Sequence, residues 1–239
     1  MTRKIRSLIK KVLYNWSYVA AALLLFIAAD LGYIAGLCPD WDLYLKGPVF
    51  KSNFIKRYEL QREENKWPPL KWQPVPIENI SKNMIRAVVV AEDSRFYSHK
   101  GIDPVAFEEV IRANLSKRKF SHGGSTISQQ TAKNVFLTPS KNPFRKWHEL
   151  VLTFWMEMRL EKKRIMELYL NVAEFGKGIY GVEAAAKYYW GMPASDLSME
   201  QAVELAATLP APKSHNPKTR TSFFSKRKKK LLRQLAQFP

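Results

Sequence analysis

A single apolar run near the N-terminus constrains this chain more than any other feature. Trp16 to Leu37 is 22 residues of almost unbroken hydrophobic sequence, with Asp30 its one charge. As a helix rising ~1.5 Å per residue, it is long enough to cross a hydrocarbon core of ~30 Å. Arg3, Lys4, Arg6, Lys10 and Lys11 precede it, with no acidic residue among them. That bias predicts a cytoplasmic N-terminus and places the rest of the chain outside, in a periplasm or at the cell surface. Two other readings are weaker. A cleaved signal peptide has an apolar core of ~7–15 residues and a small-x-small cleavage site. Ala28 and Ala29 offer the site, but the run continues past them. Lipid attachment at Cys38 requires a small residue before it, and Leu37 stands there. Asp30 lies toward the outer end of the run, where it can approach headgroups rather than the costly bilayer centre.

Charge narrows the partners. The chain carries 39 Lys+Arg against 21 Asp+Glu, a net charge of +18. Such an excess favours a polyanion: nucleic acid, an anionic membrane surface or a phosphorylated substrate. Beyond a membrane, nucleic acid is not expected. After Glu204 there is no acidic residue, while Lys213, Lys218, Arg220, Lys226, Arg227, Lys228, Lys229, Lys230 and Arg233 follow. This stretch is either a solvated basic helix or a surface docking to anionic lipid, each cation adding ~1 kcal/mol. Cys38 is the sole cysteine, so no intrachain disulfide forms. His99, His122, His148 and His215 lack ligand spacing, and no structural zinc is expected.

Five segments follow. Residues 1–15 are a basic N-terminus and 16–37 a transmembrane helix. Residues 38–76 are an extended connector, rich in aromatic residues and ending in Trp67-Pro68-Pro69 and Pro74-Val75-Pro76. Residues 77–215 are a mainly α domain, and 216–239 a basic helix or tail. Within the domain, Met84, Ile85, Val88 and Val89 recur at helical spacing and lead into Glu92. Asp103-Pro104 and Asn142-Pro143 read as helix starts, and Ser198 to Gln201 as a capping box before a helix ending near Pro210. Apolar stripes follow at Phe107, Val110, Ile111 and Leu115, and at Leu150, Phe154 and Leu160. Trp155, Met156, Met158 and Trp190 are expected in the core.

Three stretches carry candidate chemistry. Glu92 ends the apolar run Val88-Val89-Val90-Ala91, so partial desolvation raises its proton affinity and suits a general base. Asp93 beside it adds like-charge repulsion. Alone, such a pair is more often a structural ion pair, with Arg95 or Lys100. Gly123-Gly124 followed by Ser125, Thr126 and Ser128 reads as a turn into a helix start whose N–H groups bind anions. Gln129 and Lys133 extend it at i, i+4, with Gln130 alongside. Arg145, Lys146 and Glu149 open the next helix. A surface ion pair worth only ~0.3–0.5 kcal/mol is the plain reading of Arg145 and Glu149. The chemical one is a second carboxylate among cations able to hold a diphosphate. His99 is expected to orient the Glu92 loop by hydrogen bonding.

In order, these stretches are Glu92-Asp93-x-x-Phe96-x-x-His99-x-Gly101, Gly124-Ser125-Thr126-Ile127-Ser128-Gln129-Gln130-x-x-Lys133-Asn134, and Arg145-Lys146-x-x-Glu149. Arg164-Ile165-Met166-Glu167-Leu168-Tyr169-Leu170-Asn171 and Gly176-x-Gly178-x-x-Gly181-Val182-Glu183-Ala184-Ala185-Ala186 follow. Together they resemble the peptidoglycan glycosyltransferase family, the lysozyme-like polymerases of the bacterial cell wall. The resemblance covers about residues 75 to 215 and points to stand-alone members lacking a transpeptidase. Ser128, where many members have Thr, and Trp190, where Phe is common, are small departures.

The resemblance implies a lysozyme-like glycosyltransferase domain that polymerises lipid II with inversion, releasing undecaprenyl diphosphate. Glu92 would take the proton of the acceptor 4-hydroxyl. Glu149, with Lys133, Arg145 and Lys146, would stabilise the departing diphosphate. Ser125, Gln129 and Gln130 would position the donor. Asp93, Arg95, Phe96, His99, Thr126 and Asn134 join the expected substrate-binding set. No cofactor is required for the chemistry and no metal site is expected, with stimulation by Mg2+ or Mn2+ left open. Expected partners are lipid II, the growing glycan strand, membrane lipids and proteins of cell division or cell-wall synthesis. The expected location is the inner membrane, with the domain in the periplasm. A lysozyme-like hydrolase or lytic transglycosylase shares the fold and a catalytic Glu but needs no diphosphate clamp. A non-catalytic membrane scaffold explains the anchor but leaves both glutamates idle.

Overall fold

The computed structural model describes residues 3–117, 124–139 and 144–238. Gly123 and the Asn142-Pro143 helix start lie outside them. The chain divides into two units, Met1–Pro39 and Asp40–Pro239. The first is one helix, α1 (Arg3–Leu37), containing the apolar span Trp16–Leu37. That span is long and apolar enough to cross a membrane, and Leu23, Leu24, Leu25 and Phe26 on it are exposed. An apolar surface of that extent fits a lipid environment.

The second unit is built from α2 (Asp42–Leu45), α3 (Asn53–Gln61), β1 (Lys71–Trp72), α4 (Lys82–Glu92), α5 (Pro104–Lys117), α6 (Ile127–Phe136), α7 (Arg145–Arg159), α8 (Lys162–Val172), β2 (Glu174–Gly176), β3 (Ile179–Tyr180), α9 (Val182–Trp190), α10 (Met199–Thr208) and α11 (Ser222–Gln237). It is mainly α, as expected. Helix α8 runs through its centre, with Ile165, Met166, Leu168, Tyr169 and Leu170 all buried. Helix α6 packs on α7 and α8, and α4 packs on α10. Met84, Ala87 and Val88 of α4 are fully buried, as are Ala202, Val203, Leu205 and Ala206 of α10. Alanines on both faces let the backbones approach closely. The caps form where the residue types place them. Asp103 Oδ1 accepts from Ala106 N at 2.9 Å, and Ser198 and Gln201 complete the capping box of α10.

Two expected boundaries need correction. Residues 38–76 are not a bare connector. Ser52 caps α3, Ile55 and Tyr58 bury one of its faces, and Asn53 Nδ2 donates to Phe136 O at 2.8 Å. The prolines that oppose helix cluster only after residue 67, so this stretch was free to coil. Further on, β1 pairs in parallel with β3, which pairs antiparallel with β2. Asn171 fastens the proline-rich segment: its Nδ2 donates to Val75 O at 2.9 Å and its Oδ1 accepts from Val75 N at 2.8 Å. Such short strands leave no alternation to detect. The second boundary is 216–239. Phe224, Leu231 and Leu235 of α11 are buried, and the helix packs on α10 and α4.

Gly181 shows why glycine stands after β3. Its φ is +81°, and a Cβ there would sit 2.8 Å from Asn171 O. One expected core residue, Met158, and two residues of the apolar stripes, Phe107 and Phe154, differ. Met156 is buried, but Phe107, Phe154 and Met158 are more than half exposed. With Val105 of α5 they expose apolar surface on both helices, at positions helical periodicity alone assigns to a core.

Candidate active site

Glu92 is the last residue of α4, carried to the edge of a cavity of about 170 Å³ whose lining includes Ser94, Arg95, Asp103, Gly124 and Ser125. Its side chain is 14% exposed. Oε1 accepts from Arg227 Nη2 at 2.8 Å and Oε2 from Gln130 Nε2 at 3.0 Å. Burial pushes the Glu92 carboxyl up; the Gln130 hydrogen bond, then the charges of Arg227 and Lys133, act against that rise. A largely desolvated carboxylate with one oxygen on a cation and the other on a neutral amide is suited to accept a proton.

Across from it stand α6 and α7. Gln130 and Lys133 lie one turn apart on α6. Lys146 Nζ donates to Ser125 Oγ at 3.1 Å and also pairs with the buried carboxylate of Glu149. Lys133 links the two carboxylates electrostatically. Burial lowers its ammonium, Arg145 and Lys146 lower it further, and Glu149, then Glu92, raise it. The structure therefore gathers Glu92, Ser125, Gln130, Lys133, Arg145, Lys146 and Glu149. Two carboxylates with three cations among them suit binding of an anion and movement of a proton beside it.

Of the remaining candidates, Asp93, Arg95 and Thr126 line the same cavity as Glu92. Phe96 is fully buried, with Lys162 Nζ 4.5 Å from its ring centroid. Asp93 is buried; its Oδ2 accepts from Ile127 N at 3.0 Å, tying the start of α6 to the end of α4. His99 Nδ1 accepts from Gly101 N at 3.2 Å, so its proton sits on Nε2, which donates to Asp93 Oδ1 at 3.0 Å. His99 orients the Glu92 loop as expected. Thr126 and Gln129 form the capping box of α6, and Thr126 Oγ1 donates to Gly101 O at 2.6 Å. Asp93, His99, Thr126 and Gln129 support the loop through these hydrogen bonds and Phe96 is covered, while Asp93 and Thr126 also line the cavity beside Glu92. The i, i+4 pair Gln129 and Lys133 gives way to Gln130 and Lys133, because the cap turns Gln129 inward. Arg95 lies on the cavity rim, its Nε donating to Asp103 Oδ2 at 2.7 Å. Asn134 is half-buried on α6.

Asp93, His99 and Asp103 bring three potential metal-ligand atoms within 4.8 Å. All three are engaged within the protein. Asp93 is held by His99 and Ile127 N, His99 Nδ1 by Gly101 N, and Asp103 by Arg95 and Ala106 N. The guanidinium already supplies the counter-charge.

Arg227 was not singled out from sequence, being one cation in a run of five. Helical spacing offered a clue. It lies three residues after Phe224 and four before Leu231, inside the packed stripe of α11 rather than on its solvent face.

Residues 60–236 match the family model described as Transglycosylase. The chain belongs to the transglycosylase family. Among its relatives, a protein of Nitrosospira multiformis named "Biosynthetic peptidoglycan transglycosylase" is 42% identical over 196 residues, covering 82% of this chain and 84% of that protein. One of the same name from Herminiimonas arsenicoxydans is 35% identical over 233 residues, covering 95% and 96%. A third, from Dechloromonas aromatica, is 42% identical over 195 residues, covering 78% and 84%. The transglycosylase match includes α11, so the helix bearing Arg227 lies within the family's own span.

Proposed function

We propose that this transglycosylase polymerises lipid II into linear glycan strands for the cell wall and releases undecaprenyl diphosphate. The observation that carries the reading is the cleft itself: Glu92, partly desolvated, faces a cationic group around a second carboxylate, Glu149. In the step, the acceptor 4-hydroxyl gives its proton to Glu92 as its oxygen bonds the donor's anomeric carbon from the opposite face. The bond from that carbon to diphosphate breaks, and its electron pair leaves with the diphosphate. Lys133, Arg145 and Lys146 would offset the charge that builds there, with Glu149 orienting Lys146. Ser125 and Gln130 would position the donor. A hydrolase has no use for such a clamp, which favours transfer over lysis.

The proposed location is the inner membrane, with α1 crossing once, the N-terminus in the cytoplasm and the catalytic unit in the periplasm. Exposed apolar residues on α5 and α7 and exposed Lys226, Lys229, Lys230 and Arg233 on α11 support contact with an anionic lipid surface. Confinement of enzyme and lipid substrate to one surface raises their encounter frequency. Proteins of cell division or cell-wall synthesis remain proposed partners. No resident cofactor is proposed; a stimulating Mg2+ or Mn2+ would act through the substrate's diphosphate. The test is polymerisation of purified lipid II by wild type and Glu92→Gln, with divalent metal and with chelator. Unchanged polymerisation by Glu92→Gln would remove Glu92 as the base. Digestion of purified cell wall without lipid II would point to a hydrolase.

A further inference from the structure

We propose that Arg227 is a positioning residue of the reaction, holding Glu92 charged and presenting one of its oxygens to the acceptor hydroxyl. The inference rests on Glu92 acting as the base and extends that reading to a helix outside the sequence motifs. Arg227 Nη2 lies 2.8 Å from Glu92 Oε1 and 3.4 Å from Ala91 O. Its Nε is buried with no hydrogen-bond partner among the described residues. An unpaired buried donor is destabilising, so packing alone does not select arginine here. The helix is fixed independently of this contact: Lys228 pairs with Glu200 and Glu204 of α10 at 2.7 Å each, and Phe224, Leu231 and Leu235 are buried.

The groups facing Glu92 define what Arg227 adds. From α6 come Gln130, which is neutral, and Lys133, whose stronger carboxylate interaction is with Glu149. From α8 comes Tyr169, buried, with a phenol pushed up by burial and by Glu92 and an O–H reaching Gln130 Oε1 at 3.4 Å. Asp93 follows Glu92 in the chain and is held by His99 and Ile127 N. Arg227 is thus the only cation hydrogen-bonded to Glu92 among the described residues. It takes Oε1 and leaves Oε2, beside the weaker Gln130 bond, as the oxygen that accepts the proton.

The test is kcat/KM for lipid II from about pH 5 to 9 with wild type, Arg227→Met, Arg227→Lys and Leu231→Ala. Without the guanidinium, Glu92 holds its proton to higher pH. The acid limb of Arg227→Met should therefore move up by ~1–2 pH units, with activity recovering toward alkaline pH. Arg227→Lys should keep most of the limb's position. Leu231→Ala, which loosens α11 but keeps the charge, should lower Tm without moving the limb. An unmoved limb in Arg227→Met, alongside an inactive Glu92→Gln, would overturn the role of Arg227 and leave the base assignment intact. An active Glu92→Gln would instead overturn the base assignment itself. If Arg227→Met does not fold, Arg227→Gln, which keeps a donor but no charge, gives the same readout.

Discussion

Neighbouring residues in this molecule face two different regions. Glu92 opens onto the cleft while Asp93 is buried against the start of α6; Gln130 reaches Glu92 while Gln129 closes a cap. Ser125 meets Lys146 while Thr126 holds the Gly101 loop. The first set offers a carboxylate, an amide and a hydroxyl to the cleft; the second is engaged in hydrogen bonds that hold the Gly101 loop and the start of α6. Chemistry and support are interleaved residue by residue, so a motif residue's role depends on the direction its side chain takes.

The contrast breaks most sharply at Glu92. Glu92→Gln should cut polymerisation about a thousandfold, within the range of general-base groups, while Tm changes little. Glu149→Gln should cut it about a hundredfold, because Lys146 loses its partner and Lys133 its larger carboxylate interaction. Equal activity to wild type would reduce Glu149 to an ion-pair partner.

The scaffold should behave oppositely. Asp93→Ala strands the Ile127 N–H and the His99 imidazole, costing about 2–3 kcal/mol of stability. Chemical denaturation should show it, and activity should follow the folded fraction. Thr126→Ala should cost less, about 1 kcal/mol, as the loss of one helix cap.

Between these lies a carboxylate that tests whether burial alone marks the cleft. Burial pushes the Glu174 carboxyl up to about 7, with Lys213, at 3.8 Å, the one counter-charge among the described residues. Its folded pKa lies above its unfolded one, so the folded state binds the extra proton. Stability should then fall as pH rises from about 4.5 to 7, by roughly 3 kcal/mol in total. Glu174→Gln should flatten that slope in denaturation measured across pH, with catalysis unchanged. Glu92 differs in being met by Arg227, Gln130 and Lys133.

Much of the fold was legible because it rests on local signals. The cap at Asp103, the box at Ser198 and the apolar face of α4 are read within a few residues. Helix α3 was hidden by the prolines that follow it, and β1 to β3 are too short for a period. Phe107, Phe154 and Met158 carry the right spacing for a core, yet spacing does not say whether another element covers the face.

What the order of residues determined alone was the apolar span, the mainly α character, the family resemblance and candidates for the cleft's carboxylates and cations other than Arg227. Those follow from composition, periodicity and motif spacing, which are properties of the chain. The tertiary structure decided which member of each adjacent pair meets the cleft. It also brought Arg227 to Glu92 across 135 residues. Both depend on how helices begin, end and pack: a turn of about 100° per residue separates Gln129 from Gln130, the non-helical backbone at Asp93 and Thr126 separates the other pairs, and docking of α11 on α4 and α10 decides which distant cation shares the buried space beside Glu92.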